Sequence, residues 1–369
     1  MRLRTMKWTC ACAMSVPALV SAQGSVTLSG IVDAGVTYVN NQHGGAAAVF
    51  DSGIYAPNLL IISGEENLGD GNKALFEFTS QFDLGNGSTI PGATQLFNRT
   101  ATVGLSNNRF GTLTFVNQYD FMFDTLTLGF FDGARLFSGL YGFRQGPFAA
   151  LGVPNNPTGS FDFDRMAGAA RVPNSIKYRS PAFAGLTVGA LYGFGGVPGA
   201  FSTDSTVSVG MSYVNGPFSL GAAYVDVKYP QLGKGHDGIR NFGFGAHYQF
   251  PRVLAMLLYT NTKNTATGAR IDVYKASALW DISGPWSAGI DYAYMHGNAV
   301  LDGNRANQVS AALQYHFSKR TLVYGQAVYQ RASGDNAVTQ AWINGLMQPG
   351  AASSNRSQAL VRIGVATRF

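Results

Sequence analysis

The chain has 369 residues, 46% of them hydrophobic and only 12% charged, with 46 glycines and a formal net charge of +6. Arg2, Arg4 and Lys7 stand ahead of an apolar stretch ending in Val20-Ser21-Ala22, the pattern of a secretory signal peptide over residues 1–22; its removal takes Lys plus Arg from 26 to 23 against 20 Asp plus Glu, and the net charge to +3. Both cysteines, Cys10 and Cys12, leave with it, so residues 23–369 exclude a disulfide framework or a cysteine metal site, and so small a charge gives no support to a nucleic-acid partner.

The mature chain opens on a strand signal. Val26, Leu28, Gly30, Val32, Ala34, Val36 and Tyr38 fall on one face, and Thr27, Ser29, Asp33, Gly35 and Thr37 on the other. A period of two marks a half-buried strand, and about 12 residues suits a tilted strand crossing a bilayer better than a soluble strand. Farther along, the longest uncharged stretch lies between Arg179 and Asp204, but Pro181, Pro198 and six glycines break it as a helical span. The C-terminal segment alternates again: Ala359, Val361, Ile363, Val365, Thr367 and Phe369 on one side, Gln358, Leu360, Arg362, Gly364, Ala366 and Arg368 on the other.

Between these ends, two kinds of connection alternate. Short ones read as tight turns: 67–71, 107–109, 181–185, 215–217, 251–252, 283–285 and 318–320. Long ones, rich in Gly, Asn, Ala and Ser, run over 40–50, 84–95, 119–173, 195–203, 229–238, 262–268, 298–305 and 332–356. Seven short and eight long connections join sixteen strands. Short turns at one end and long loops at the other point to an all-β, 16-stranded antiparallel transmembrane β-barrel in one domain. Closure follows from physics, since backbone groups in hydrocarbon must all be paired within the protein. A barrel of that girth holds water. Tyr224, Tyr259, Trp286, Tyr292, Tyr329 and Phe369 lie near strand ends, as interfacial girdles require; a soluble core would fit their number but not their placement.

Nothing in the sequence proposes catalysis. No GxSxG, HExxH or GxxxxGK[ST] string occurs in the mature chain, and His43, His236, His247, His296 and His316 show no metal-like spacing. The expectation is no enzyme, no metal and no cofactor. The informative feature is the connection over 119–173, whose length marks a functional loop. It carries Asp120, Asp124, Asp132, Asp162 and Asp164, with Arg135, Arg144, Arg165 and Arg171, and many aromatic rings. Those rings pack either inside the barrel or as a cap over its mouth; the inward fold is preferred, because it would narrow the lumen and set opposed charges across it.

Several strings resemble the trimeric general-diffusion porins of Gram-negative bacteria, in the branch found in Burkholderia, Bordetella, Comamonas and Neisseria. They are Ser25–Gly35, Gly64-Glu65-Glu66-Asn67-Leu68-Gly69, Phe97-Asn98-Arg99 with Val103-Gly104-Leu105-Ser106, Asn174–Tyr178, Ala327–Gly334 and the terminal Arg368-Phe369. The resemblance implies a homotrimer in the outer membrane, in contact with lipid and lipopolysaccharide, with the third long loop folded into each lumen and Phe369 read by the barrel-assembly machinery. It implies passive diffusion of small hydrophilic solutes and ions through a water-filled channel. It also implies a constriction with Arg99, Arg171 and Arg165 on the basic side and Asp120 and Asp124 opposite. Two family arginines are replaced, by Leu59 and Asn117, which argues for a mild rather than a strong anion preference. Asp33, Asn117, Arg362 and Arg368 are expected to face the lumen as well. A substrate-specific channel for organic acids or sugars, and a plugged barrel serving as an adhesin or structural protein, are the alternatives.

Overall fold

The computed structural model describes residues 24–89, 95–337, 339–347 and 350–369; the expected signal peptide, residues 1–22, lies outside them. The strands are β1 (Ser25–Gln42), β2 (Gly45–Ser52), β3 (Leu59–Gly69), β4 (Asn72–Gln81), β5 (Thr100–Asn107), β6 (Gly111–Gln118), β7 (Val172–Arg179) and β8 (Leu186–Gly193). They continue as β9 (Thr206–Asn215), β10 (Phe218–Lys228), β11 (Gly238–Gln249), β12 (Val253–Asn264), β13 (Arg270–Ser283), β14 (Trp286–Gly297), β15 (Arg305–His316), β16 (Thr321–Ser333) and β17 (Ser357–Arg368). Neighbours pair antiparallel in chain order, and β1 closes the ring on β17, with Ile31 opposite Arg368 and Val39 opposite Leu360.

Seventeen segments make sixteen barrel strands because β2 and β3 share one position. β2 pairs with the Ala34–Gln42 part of β1 and β3 with the Ser25–Ile31 part. The sequence suggested a long loop over 40–50. Instead the chain reverses at His43-Gly44, where both residues have positive φ (52° and 103°), and the irregular stretch falls at 53–58. That break frees backbone N–H groups, which must be satisfied where no water ladder replaces the sheet. Asp33 takes them: its Oδ2 accepts from Ile54 N at 2.7 Å and Tyr55 N at 3.0 Å, and its carbonyl from Gly53 N at 3.0 Å. Asn58 Oδ1 in turn accepts from Asp33 N at 2.7 Å.

Alternation sorts the two faces. Val361, Ile363 and Val365 of β17 are exposed while Leu360, Arg362 and Ala366 are buried, and Val207, Val209 and Met211 of β9 repeat the outward apolar pattern. An outward row of rings crosses four strands: Phe244, Tyr259, Tyr274 and Tyr294 stand 6.5, 5.1 and 6.5 Å apart. The opposite rim carries Trp286 against Tyr315 and Tyr315 against Phe317, at 4.9 and 5.0 Å. This is the apolar belt with aromatic borders that a membrane barrel needs.

The connection between β6 and β7 is compact, with short helical turns at Met122–Thr127, Ala134–Ser138 and Gly139–Gly142. Its rings sit over glycines on the inward face of the wall. Phe121 covers Gly189 and Gly210, Phe131 covers Gly221 and Gly245, and Phe137 covers Gly289; a Cβ on Gly245 would fall 2.5 Å from Phe131 Cβ. Only the smallest residue leaves room for a ring so close to the sheet. The segment between β16 and β17 also packs inward: Ile343, Leu346 and Ala351 join Val39, Val328 and Leu360 around Tyr141.

Candidate functional site

The inward-facing charges differ in pairing between the two sides of the β6–β7 connection. Against β12–β14 they are buried and paired. Lys275 Nζ lies 2.7 Å from Asp132 Oδ1 and 2.5 Å from Asp291 Oδ2; Arg144 pairs with Asp132 and, at 2.8 Å, with Asp164. Thr260 Oγ1 donates to Asp164 at 3.0 Å. All five charged side chains are essentially inaccessible to water. Burial alone would raise the carboxyl of Asp132, but Arg144 and Lys275 outweigh it and hold the group down at about 2. At the near end, Arg165 Nε pairs with Asp120 Oδ2 at 2.6 Å, and Lys177 of β7 pairs with Asp124.

On the other side of the connection a cavity of about 800 Å³ runs along β1, β3, β4 and the start of β5. Arg99, Arg135 and Arg368 line it. Arg99 Nε donates to Gln81 Oε1 at 2.6 Å, and its Nη1 to Tyr119 Oη at 2.6 Å and Gly168 O at 2.9 Å. Neutral acceptors leave its charge uncancelled. Among the described residues no carboxylate lies within ion-pair distance of Arg99, Arg135, Arg171 or Arg368. Arg171 stands behind the cavity wall, over the Tyr119 ring at 5.2 Å, with its Nε donating to Arg99 O at 3.0 Å. Burial, and then the neighbouring Arg99, bring it down to about 10, still charged at neutral pH. Glu77 and Asp83 supply negative charge to the same cavity, and Asp83 Oδ1 accepts from Ser52 Oγ at 3.1 Å.

The expected residues are thus distributed unevenly. Arg99 and Arg368 line the cavity; Arg165, Asp120 and Asp124 do not, because Asp120 is closed by an arginine of its own segment and Asp124 by Lys177. The acids expected to face the basic wall across water are therefore already neutralised. Asp33 and Arg362 face inward but are sealed in a network: Arg362 Nη2 lies 3.3 Å from Asp33 Oδ2, Tyr324 Oη donates to Asp33 Oδ1 at 2.6 Å, and Arg362 also pairs with Asp51. Asn117 follows a bulge at Val116 (φ 93°), donates to Arg99 O at 3.3 Å and does not line the cavity. Arg135, Lys177 and Lys275 were not singled out. Lys275 carried a signal, being the one ionised inward position in the middle of β13.

Residues 9–335 match the sequence pattern of the family described as Gram-negative porin. The chain belongs to that family. Curated relatives include outer membrane porin protein 32 of Delftia acidovorans, 29% identical over 360 residues, covering 94% of this chain and 95% of the relative. Major outer membrane protein P.IB of Neisseria meningitidis is 26% identical over 344 residues, covering 88% and 94%. Among solved structures, an anion-selective porin from Comamonas acidovorans superposes with a TM-score of 0.77 at 23% identity, covering 94% of this chain and 100% of that one. A closed barrel with an apolar belt and this family membership place the porin in the outer membrane of a Gram-negative bacterium, where it passes small hydrophilic solutes by passive diffusion.

Proposed function

We propose that passage runs between the β6–β7 connection and the wall of β1, β3 and β4, and that it prefers anions mildly. The observation that carries this reading is the asymmetry of pairing. Arg99, Arg135 and Arg368 border the cavity without carboxylate partners, whereas Asp120, Asp124, Asp132 and Asp164 are each matched to a cation elsewhere. Unpaired charge beside water in a low-dielectric wall sets the local potential; paired charge does not. Glu77 and Asp83 temper the field, so the preference stays modest.

The work done is passive passage with no covalent step. The working unit we assign is a homotrimer with one passage per protomer, in contact with lipid and lipopolysaccharide, assembled through recognition of Phe369; membership of the Gram-negative porin family supports the trimer. The test is planar-bilayer recording of the detergent-purified protein across a potassium chloride gradient. The expected result is conductance in threefold steps with a reversal potential on the anion side. A cation-side value overturns the selectivity, and absence of conductance overturns the passage itself.

A further inference from the structure

A passage for small polar solutes is expected to present polar side chains inward. Along one stretch this barrel does not. Ile31 of β1 is directly opposite Leu59 of β3, and Ile61 follows two residues on; all three line the cavity. Cross-strand partners share a face with Cβ atoms about 5 Å apart, so the three aliphatic side chains form one strip. Registration fixes what flanks it. Arg368 of β17 is opposite Ile31, and Gln81 of β4 is opposite Leu59. Gln81 in turn holds Arg99 through its Oε1 at 2.6 Å.

The inward row therefore reads Arg368, Ile31, Leu59, Gln81, Arg99. Three inter-strand steps span about 14 Å between the Arg368 and Gln81 backbones. Arg135 lines the same cavity from the β6–β7 connection. Tyr119 and Phe123, stacked at 4.2 Å, add aromatic surface beside Arg99. Arginine alone would serve any anion. Arginines bordering an aliphatic strip suit an anion that also has an apolar body.

We propose that the passage contains a recognition site for organic anions bearing an aromatic or branched apolar group, with the carboxylate toward Arg99, Arg135 and Arg368 and the apolar part on Ile31, Leu59 and Ile61. The proposal rests on the passage assigned above and names its substrate class. Bare inorganic anions and short carboxylates gain only the charge interaction. Covering part of a ring on the strip is enough for a difference of about tenfold in apparent affinity.

The test compares benzoate with acetate, equal in charge and different in apolar surface, as blockers of chloride current through the reconstituted protein. Benzoate is expected to reduce the current saturably at about one tenth of the acetate concentration. In L59S/I61S the two anions are expected to become equivalent, and in R135Q both are expected to weaken together. I31T offers a second, milder disruption of the strip should the double variant not assemble, with the benzoate advantage expected to shrink. Equal block in the unaltered protein, or a benzoate advantage that survives L59S/I61S or is undiminished in I31T, overturns the proposal while leaving the passage intact. Failure to conduct chloride at all overturns the passage instead.

Discussion

Along β8–β14 the inward wall offers glycines that seat rings and charges that meet opposite charges under the β6–β7 connection. Along β17, β1, β3 and β4 it offers an aliphatic strip and arginines bordering water. Both regions obey the same alternation, so the difference lies in what each inward position is for. On the docked side, Arg144, Lys275, Asp132, Asp164 and Asp291 neutralise one another out of reach of any solute. On the open side, Arg99, Arg135 and Arg368 keep their fields. Charge inside a barrel is thus no guide to selectivity until its partners are known, because buried pairs fix position and unpaired groups act on solutes.

The strongest way to break this division is to undo the docked side. Arg144→Met leaves the buried carboxylate of Asp164 without a cation, and removal of one member of such a pair costs about 3–5 kcal/mol. The strand ladders are untouched, so thermal unfolding of the barrel followed by circular dichroism is expected to stay unchanged. Amide exchange over 119–171 is expected to accelerate and single-channel current to become noisier. Unaltered exchange would show that the charge cluster does not hold the connection.

Gly289→Val attacks the same docking through shape. The added side chain occupies the place of the Phe137 ring, at a cost of about 1–3 kcal/mol. Exchange is expected to rise less than in Arg144→Met, and adding Phe137→Ala is expected to recover part of the loss. A penalty indifferent to Phe137 would locate the damage in the sheet rather than in the seat of the ring.

On the open side the expected effects are smaller and electrical. Arg99→Gln keeps a hydrogen-bonding side chain beside Gln81 and removes one charge. A unit charge about 7 Å from a solute path in water-like surroundings changes the anion-to-cation permeability ratio about two- to threefold. Reversal potential in a salt gradient is expected to move toward cations by that amount. Neutralising Arg165, which Asp120 already cancels, is expected to move it less. Equal shifts from the two variants would erase the distinction between paired and unpaired arginines.

How much of this could be read beforehand follows the same line. Strand alternation and turn chemistry are local, so the sixteen barrel strands and the seven connections read as tight turns were legible, whereas the tight reversal at His43-Gly44, inside a stretch read as a long loop, was not. The break at 53–58 was not, because the Asp33 carboxylate that satisfies it acts across more than twenty residues. The inward glycines 245 and 289 were read only as composition, and Gly189 only as one of the glycines that break a helical span, since nothing local distinguishes a seat for a ring from a turn. Arg99 was legible through its string of neighbours. Arg135 was not, because a residue's place on an irregular connection depends on how that connection docks. The same dependence closed Asp120 and Asp124 into pairs.

The smallest expected effect is one of pH, and it refines the docked side. Asp162, in the β6–β7 connection, accepts from Ala167 N at 2.7 Å and Ala169 N at 2.8 Å. Burial, and then the neighbouring Asp164, nevertheless push its carboxyl up to about 7 from 3.8. Between those values the docked connection binds a proton that the released one has lost, so docking weakens as pH rises through that window and is level above it. Amide exchange over 119–171, corrected for its intrinsic pH dependence, is expected to be faster at pH 8 than at pH 5. Asp162→Asn cannot ionise and is expected to show the same exchange at both. A pH effect that persists in Asp162→Asn would assign it to another group.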